Sequence, residues 1–282
     1  MTAPTIRTVS LPNRADIPAL GMGTWYMGEA PHRRRTELAA LRTGIEIGLT
    51  LIDTAEMYGD GAAESLVGEA IAGHRDEVFV VSKVLPSNAS LRGTVAACQA
   101  SLRRLGTDHL DMYLLHWRGR FPLAETVEAF EALEQAGLIG CWGVSNFDAS
   151  DMDELVAVPG GARVQTDQVL YNLARRGPEY DLIPWAREFG IPLMSYSPVD
   201  HGRLLEHPAV LDMARFKGVT TAQLAIAWVL RLPYVCAVAK ASTRAHVIEN
   251  RAAMEITFSE AELAQLDTIF PPPVSTKPLE VL

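Results

Sequence analysis

The chain has 282 residues, of which 48% are apolar and 21% are charged. This composition supports a large buried core and excludes an intrinsically disordered protein. Acidic residues outnumber basic ones by 34 to 25, so the formal net charge is −9. Such a balance argues against sequence-independent nucleic-acid binding, which requires a basic surface. The length suits one α/β domain that spans residues 1–282.

The three cysteines predict the compartment. Cys98, Cys141 and Cys236 lie far apart in apolar runs, without C-x-x-C spacing. We expect buried free thiols in a reducing environment, and neither disulfides nor a metal site. The N-terminus lacks the apolar core of a signal peptide. The most apolar stretch is interrupted by Arg231 and Pro233, which argues against a membrane span. These features together predict a cytoplasmic protein.

The chain begins with two short apolar runs, 6–11 and 15–20, around a Pro-Asn-Arg turn, which predicts an N-terminal β-hairpin. From Gly21 onward, short apolar runs alternate with segments of helical periodicity. After the first run at Gly21, the further strands are predicted at 49–52, 78–81, 110–115, 138–144, 163–168, 191–195 and 234–238.

Eight strand–helix units in one chain of this length predict a closed (β/α)8 barrel, the TIM barrel, rather than an open sheet. Segment 200–217 is longer than a simple connection, so we expect a flexible loop with an added helix there. Three consecutive prolines at 271–273 end the regular structure and leave a C-terminal tail.

Barrel enzymes carry their chemistry at the carboxyl ends of the strands. Every predicted strand of this chain ends in polar, aromatic or glycine residues, although the strand interiors are apolar. These ends are Gly23-Thr24-Trp25, Asp53, Lys83, His116-Trp117, Ser145-Asn146, Gln168, Tyr196-Ser197 and Lys240.

Asp53 and Tyr58 follow the second barrel strand, and Lys83 and His116 end the next two. Taken alone, Asp53 would cap a helix and Tyr58 would pack beside it. The joint placement of the four residues favours a catalytic group instead. A free tyrosine has a pKa of about 10, too high for easy proton exchange near neutrality. An adjacent lysine ammonium, held by an aspartate, favours the phenolate and makes the tyrosine a usable general acid.

These motifs, with Gly-Val-Ser145-Asn146, Gln168 and Ser195-Tyr196-Ser197-Pro198, resemble the aldo-keto reductase family over essentially the whole chain. The stretches around Trp25 and Tyr58 are most similar to bacterial reductases of small aldehydes and α-oxoaldehydes such as methylglyoxal.

The resemblance implies a hydride transfer from nicotinamide to a carbonyl carbon, with protonation of the oxygen by Tyr58. Asp53 and Lys83 would tune Tyr58, and His116 would orient the carbonyl. No metal is implied. Trp25, Met57, Tyr58, His116 and Trp117 would contact a small carbonyl substrate. The remaining implied contacts are with the cofactor. They involve Gly23, Thr24, Trp25, Asp53, Ser145, Asn146, Gln168, Tyr196, Ser197, Val199, Lys240, Ser242, Thr243, Arg244, His246, Glu249 and Asn250.

The segment after the last strand resembles the family's adenosine-phosphate site, with Lys240 and nearby hydroxyls for the 2′-phosphate of NADP. Its alternative interpretation is an ordinary helix start capped by Thr243. Ala241 replaces a usual serine, Val-Ala-Lys240 replaces Ile-Pro-Lys, and His246 replaces a usual arginine. Imidazole lacks the bidentate cationic fork of arginine. We therefore expect NADPH to be preferred, with weaker discrimination against NADH than is usual.

Three alternatives stay open. The first is a non-catalytic or slow nicotinamide-binding redox-sensing module of the same fold. The second is a Schiff-base lyase that uses Lys83, although Asp53 would oppose the neutral amine that this chemistry needs. The third is a metal-dependent hydrolase, which the scattered histidines disfavour. The resemblance favours a monomer, and neither a nucleic acid nor a membrane is an expected partner. The sequence does not identify the physiological substrate.

Overall fold

The computed structural model describes residues 6–13 and 15–282. The predicted N-terminal hairpin is present: β1 (Thr8–Ser10) pairs antiparallel with β2 (Asp16–Pro18). Val9 lies opposite Ile17, and both side chains are buried. The hairpin therefore adds apolar surface to the core. Position 14 of the predicted turn lies outside the described residues.

Eight parallel strands form a closed barrel in the order β10-β3-β4-β5-β6-β7-β8-β9, which confirms the predicted (β/α)8 fold. The strands are β3 (Leu20–Gly23), β4 (Leu51–Asp53), β5 (Phe79–Val84), β6 (Leu110–Leu115), β7 (Ile139–Ser145), β8 (Asp167–Leu170), β9 (Leu193–Tyr196) and β10 (Val235–Lys240). Lys240 pairs with Gly23 where the barrel closes. The strand interiors are buried on both faces, as their continuous apolar runs predict.

Helices follow each barrel strand. They are α1 (Pro31–Glu46), α2 (Ala62–Ile71), α3 (Leu91–Leu105), α4 (Leu123–Gln135), α5 (Ala149–Ala157), α6 (Leu182–Phe189), α7 (Pro208–Lys217), α8 (Thr221–Leu230), α9 (Arg244–Ala252) and α10 (Glu260–Ile269). Local sequence fixes several ends. Ser90 accepts from the Gly93 amide at the start of α3, and Gly106 ends that helix with φ 64°. Among the described residues, no helix combines the length and hydropathy needed to cross a bilayer.

One predicted strand was wrong in its limits. Residues 163–168 were expected to form it, but Gly161–Arg163 is a 3₁₀ turn and β8 begins at Asp167. The chain reverses at Gly160 with φ 78°, a conformation that glycine adopts without steric cost. In the 200–217 segment the added helix is confirmed as α7, which follows 3₁₀ turns at Asp200–Glu206. The mobility of this segment stays a prediction.

Apolar side chains fill the space between the barrel and its helices. Phe130 on α4 stacks on Trp142 of β7, with ring centroids 5.3 Å apart, and both residues are buried. Cys98, Cys141 and Cys236 are buried free thiols, as predicted. Beyond α10, the chain from Pro271 to Leu282 has no helix or strand. Because all eight strands are parallel, their carboxyl ends lie on one rim, where the predicted side chains meet.

Candidate active site

Asp53, Tyr58 and Lys83 form one buried cluster at the rim. β4 ends at Asp53, and the chain then turns so that the Tyr58 amide donates to the Ala55 carbonyl. Lys83, fully buried on β5, extends its Nζ to 2.7 Å from Asp53 Oδ1 and 3.0 Å from the Tyr58 hydroxyl. Nζ also donates to the Thr54 carbonyl at 2.9 Å. All three ammonium protons of Lys83 therefore have an acceptor.

The charges in this cluster oppose the effect of burial. Burial disfavours the ammonium form of Lys83, but the Asp53 carboxylate and the Tyr58 oxygen outweigh it and raise the pKa of Lys83. For Tyr58 the balance differs, because burial outweighs the nearby ammonium and raises its pKa above 10.0. Lys83 is therefore a cation and Tyr58 a neutral phenol near neutral pH.

His116 directly follows β6, and its backbone amide donates to the Val84 carbonyl of the neighbouring strand. Its ring packs edge-on to the Tyr58 ring, with centroids 5.8 Å apart. Burial, and secondarily the charge of Lys83, lower the pKa of His116 to about 2. The imidazole is therefore neutral under ordinary conditions and carries one N–H that can donate.

An amide-rich wall stands opposite this cluster. Ser145 Oγ donates to the Gln168 carbonyl, and Asn146 Nδ2 donates to Ser145 Oγ and to the His116 carbonyl. Asn146 Oδ1 accepts from the Tyr196 hydroxyl at 2.8 Å. The backbone of Asn146 is left-handed, with φ 60°, a conformation that asparagine adopts more readily than most residues. This turn aims the amide into the barrel mouth.

A cavity of about 410 Å³ lies between the cluster and the wall. It is lined by Trp25, Met57, Tyr58, His116, Trp117, Arg118, Ser145, Asn146, Gln168, Tyr196, Val281 and Leu282. Every residue expected to contact substrate lies on this list. The Trp25 ring lies 6.2 Å from that of Tyr58, so the aromatic side of the cavity is continuous with the buried phenol.

A second cavity of about 320 Å³ shares Trp25, Tyr58 and Tyr196 with the first and leads to Lys240. The other residues that line it are Gly23, Thr24, Tyr26, Asp53, Ser197, Pro198, Val199, His201 and Val238. The two cavities thus adjoin at the mouth of the barrel, and we refer to them together as the channel. The channel unites the predicted cofactor residues from Gly23 to Lys240.

The remaining predicted cofactor residues lie at the start of α9. Thr243 caps this helix by accepting from the His246 amide, while Arg244 and His246 are exposed. Asn250 is buried, and Glu249 accepts from the Thr220 hydroxyl.

The Ser242 hydroxyl is buried and has no hydrogen-bond partner among the described residues. Lys240 is exposed beside it and forms no salt bridge within the described chain. An orphaned hydroxyl, a free ammonium and a helix N-terminus suit a phosphate group.

The described residues contain no group of three or more His, Cys, Asp or Glu side chains that could hold a metal ion.

Comparison with known proteins identifies the fold family. The model of the aldo/keto reductase family matches residues 19–270. The chain belongs to this family. Aldo/keto reductases are oxidoreductases, so this protein is an enzyme of that class. The predicted family is thereby confirmed.

Individual aldo/keto reductases are similar along nearly the whole chain. Methylglyoxal reductase YeaE of Escherichia coli (strain K12) is 52% identical over 271 residues, which cover 94% of this chain and 95% of that protein. An aldo/keto reductase from Klebsiella pneumoniae in complex with NADP and acetate is 51% identical. The match covers 99% of this chain and 100% of that chain, with a TM-score of 0.96. A second structure of a Klebsiella pneumoniae aldo-keto reductase, in complex with NADPH, gives the same values.

Sequence reasoning missed part of this aldo/keto reductase channel. Four residues that were not predicted line the second cavity: Tyr26, Pro198, His201 and Val238. Each lies within two residues of a predicted cofactor residue, so its position near the end of a strand could have indicated it. Val281 and Leu282, in the tail that follows the three prolines, line the first cavity.

Proposed function

We propose that this protein reduces aldehydes and α-oxoaldehydes, including methylglyoxal-like substrates, with NADPH as hydride donor and Tyr58 as proton donor. One observation carries the proposal: Lys83 Nζ contacts both Asp53 and the Tyr58 hydroxyl directly beneath a cavity that His116 also lines. A proton donor, a charge that controls it and a neutral hydrogen-bond donor thus meet at one place.

NADPH, when bound, supplies a hydride to the carbonyl carbon. The channel residues fit such a cofactor. Ser145, Asn146 and Gln168 present amide and hydroxyl groups for a carboxamide, and Tyr196 presents an aromatic face. Lys240 and the orphaned Ser242 hydroxyl suit the 2′-phosphate that distinguishes NADP from NAD. The predicted NADP-type cofactor agrees with the ligands of the two Klebsiella pneumoniae structures.

Tyr58 holds the proton that a carbonyl oxygen needs as it becomes an alkoxide. Burial keeps the phenol protonated until the oxygen requires it. The ammonium of Lys83, 3.0 Å away, then stabilises the phenolate that is left behind. Asp53 keeps Lys83 charged in a fully buried position, where an unpaired ammonium would lose its proton. The three residues therefore act as one unit.

His116 orients the substrate. Because its pKa is about 2, the imidazole is a neutral donor rather than a competing acid. A hydrogen bond from this ring to the carbonyl oxygen would point the oxygen toward the Tyr58 hydroxyl. Trp25, Met57 and Trp117 give the same cavity an apolar surface that excludes water from the reacting carbonyl.

The substrate class is supported by the relative that acts on methylglyoxal, a small neutral α-oxoaldehyde. A cavity of about 410 Å³ is larger than that molecule needs, so larger aldehydes are also expected substrates. A Schiff-base lyase is disfavoured because Asp53 holds Lys83 in the charged form, which is not nucleophilic.

The competing function is a slow nicotinamide-binding redox sensor. Initial rates with NADPH and methylglyoxal, followed by a panel of larger aldehydes, separate the two functions. We expect many turnovers per active site, with NADPH consumed in proportion to product. A single turnover followed by tightly held oxidised cofactor would instead support the sensor.

We further propose that the chain acts as a monomeric single-domain enzyme in the cytoplasm. The one continuous barrel and the three free thiols support this. Sedimentation equilibrium at micromolar concentration tests the oligomeric state, and a mass of twice 30.7 kDa would contradict it.

A further inference from the structure

Among the described residues that line the cavity of about 410 Å³, Arg118 is the one lysine or arginine. A guanidinium at that place would ordinarily bind a substrate carboxylate through its two terminal nitrogens. In this protein the terminal nitrogens are already engaged. Nη1 donates to Glu154 Oε2 at 2.8 Å and Nη2 to Glu154 Oε1 at 2.7 Å, which is a bidentate pair.

A second carboxylate adds to this pair. Asp151 Oδ1 lies 3.5 Å from Arg118 Nη1. Asp151 and Glu154 belong to the first turns of α5, whose capping box with Asp148 fixes the Asp151 side chain toward the helix start. The cluster of one arginine and two carboxylates therefore carries a net negative charge. It stands at the edge of the cavity and engages both terminal nitrogens of the guanidinium.

In the described part of the chain, no other cationic side chain lines this cavity. Lys83 is buried beneath it and paired with Asp53. His116 is neutral because its pKa is about 2. The rest of the lining is amide, hydroxyl and apolar, and Trp25, Met57, Trp117, Val281 and Leu282 supply the apolar part.

We infer that the Glu154–Arg118–Asp151 cluster makes the enzyme select uncharged carbonyl compounds with an apolar group and reject carbonyl compounds that carry a carboxylate. This inference rests on the proposed carbonyl reduction. Glu154 acts as a positioning residue, since it does not line the cavity itself but holds Arg118, which does. The apolar wall then contributes binding energy only for substrates that bring an apolar side chain.

Two aldehydes of nearly equal shape test the inference: 4-formylbenzoate, which is an anion, and its uncharged methyl ester. We expect the wild-type kcat/KM to favour the ester. Glu154→Gln keeps the side-chain shape but weakens the hold on Arg118. The ratio of kcat/KM, acid over ester, should then rise by about three- to five-fold, the range of a partly exposed ion pair.

The control variant is Glu69→Gln, which removes the same charge from a surface pair with Arg34. The side chains of that pair are 39% and 46% exposed, comparable to 33% and 56% for Arg118 and Glu154. Glu69→Gln should leave the ratio unchanged. The double variant Arg118→Gln/Glu154→Gln should not show the higher acid-over-ester ratio, because it lacks the guanidinium that Glu154→Gln frees.

Measured NADPH dissociation constants should be equal in all variants, which separates a substrate effect from a structural one. The inference is overturned if wild type has the higher kcat/KM for the acid, or if Glu154→Gln changes kcat/KM for both aldehydes by the same factor. Absence of turnover with both of these aldehydes and with methylglyoxal would overturn the proposed reduction itself, and the inference with it. If the higher acid-over-ester ratio of Glu154→Gln disappears at high salt, its cause is electrostatic.

Discussion

Gln168 and Asp53 are joined by a hydrogen bond of 2.7 Å from the Gln168 amide nitrogen to Asp53 Oδ1, although 115 residues separate them in sequence. The same carboxylate oxygen also accepts from Lys83 Nζ. Asp53 therefore connects the wall proposed to hold the nicotinamide with the lysine that contacts the Tyr58 hydroxyl. Three contacts in series, Gln168–Asp53, Asp53–Lys83 and Lys83–Tyr58, therefore connect the wall to the Tyr58 hydroxyl.

Breaking the ion pair between Lys83 and Asp53 should destabilise the fold. Lys83→Met leaves the Asp53 carboxylate buried without its cation. We expect a loss of about 3–5 kcal/mol in the free energy of unfolding, the usual result of removing one partner of a buried pair. Chemical denaturation with urea measures this.

The double variant Asp53→Asn/Lys83→Met serves as the control for Lys83→Met. It should recover most of the lost stability, since no charge stays buried alone. Activity should not recover, because the charge that stabilises the Tyr58 phenolate is gone. A double variant as unstable as Lys83→Met would show that packing, rather than charge, accounts for the loss.

The pH dependence of reduction follows from the states of Tyr58 and His116. Reduction needs the protonated phenol, which predominates below the pKa of Tyr58, and burial raises that pKa. His116 adds no ascending limb, because its pKa is about 2. The profile of kcat/KM should therefore be flat from about pH 6 to about pH 9. Oxidation of the alcohol needs the phenolate and should accelerate as pH rises. A reduction rate that falls through pH 7 would contradict these assignments.

Discrimination between NADPH and NADH tests the phosphate end of the channel. Lys240→Ala should weaken NADPH binding by about ten-fold, the value of one charge-assisted hydrogen bond, and leave NADH binding nearly unchanged. His246→Arg should strengthen the preference, because it restores the cationic fork. Fluorescence titration gives the dissociation constants of NADPH and NADH for wild type and each variant, with Lys277→Ala in the exposed tail as the control. Equal constants for both cofactors in wild type, or an unchanged ratio in Lys240→Ala, would contradict the prediction.

The sequence predicted the fold and the meeting of Asp53, Lys83 and His116 because both depend on the strand ends. Parallel strands bring their carboxyl ends to one rim, so Asp53, Lys83 and His116 could be placed together from periodicity alone. The shift of β8 to Asp167–Leu170 was missed because the turn at Gly160 moves the strand without altering its apolar pattern. Boundaries depend on such local turns more than on periodicity.

The rest of the site depends on contacts that periodicity does not encode. Periodicity does not indicate a partner for Arg118, which lies in a loop, but the position of α5 brings Glu154 into bidentate contact with it. The tail reaches the cavity because Glu280 pairs with Arg175, which also contacts the buried Asp200. Each of these contacts joins a loop to a distant element, and loop paths follow from packing in the finished fold.

The variant Tyr58→Phe tests the central claim most directly, because it removes one hydroxyl and keeps the ring that packs against Trp25 and His116. The measurement pairs multiple-turnover reduction of methylglyoxal with NADPH titration on the same preparation. We predict that kcat falls by about 10²–10⁴-fold, the range for loss of a general acid, while the NADPH dissociation constant stays nearly the same. Substantial turnover retained by Tyr58→Phe, with intact cofactor binding, would contradict the role of Tyr58 as proton donor.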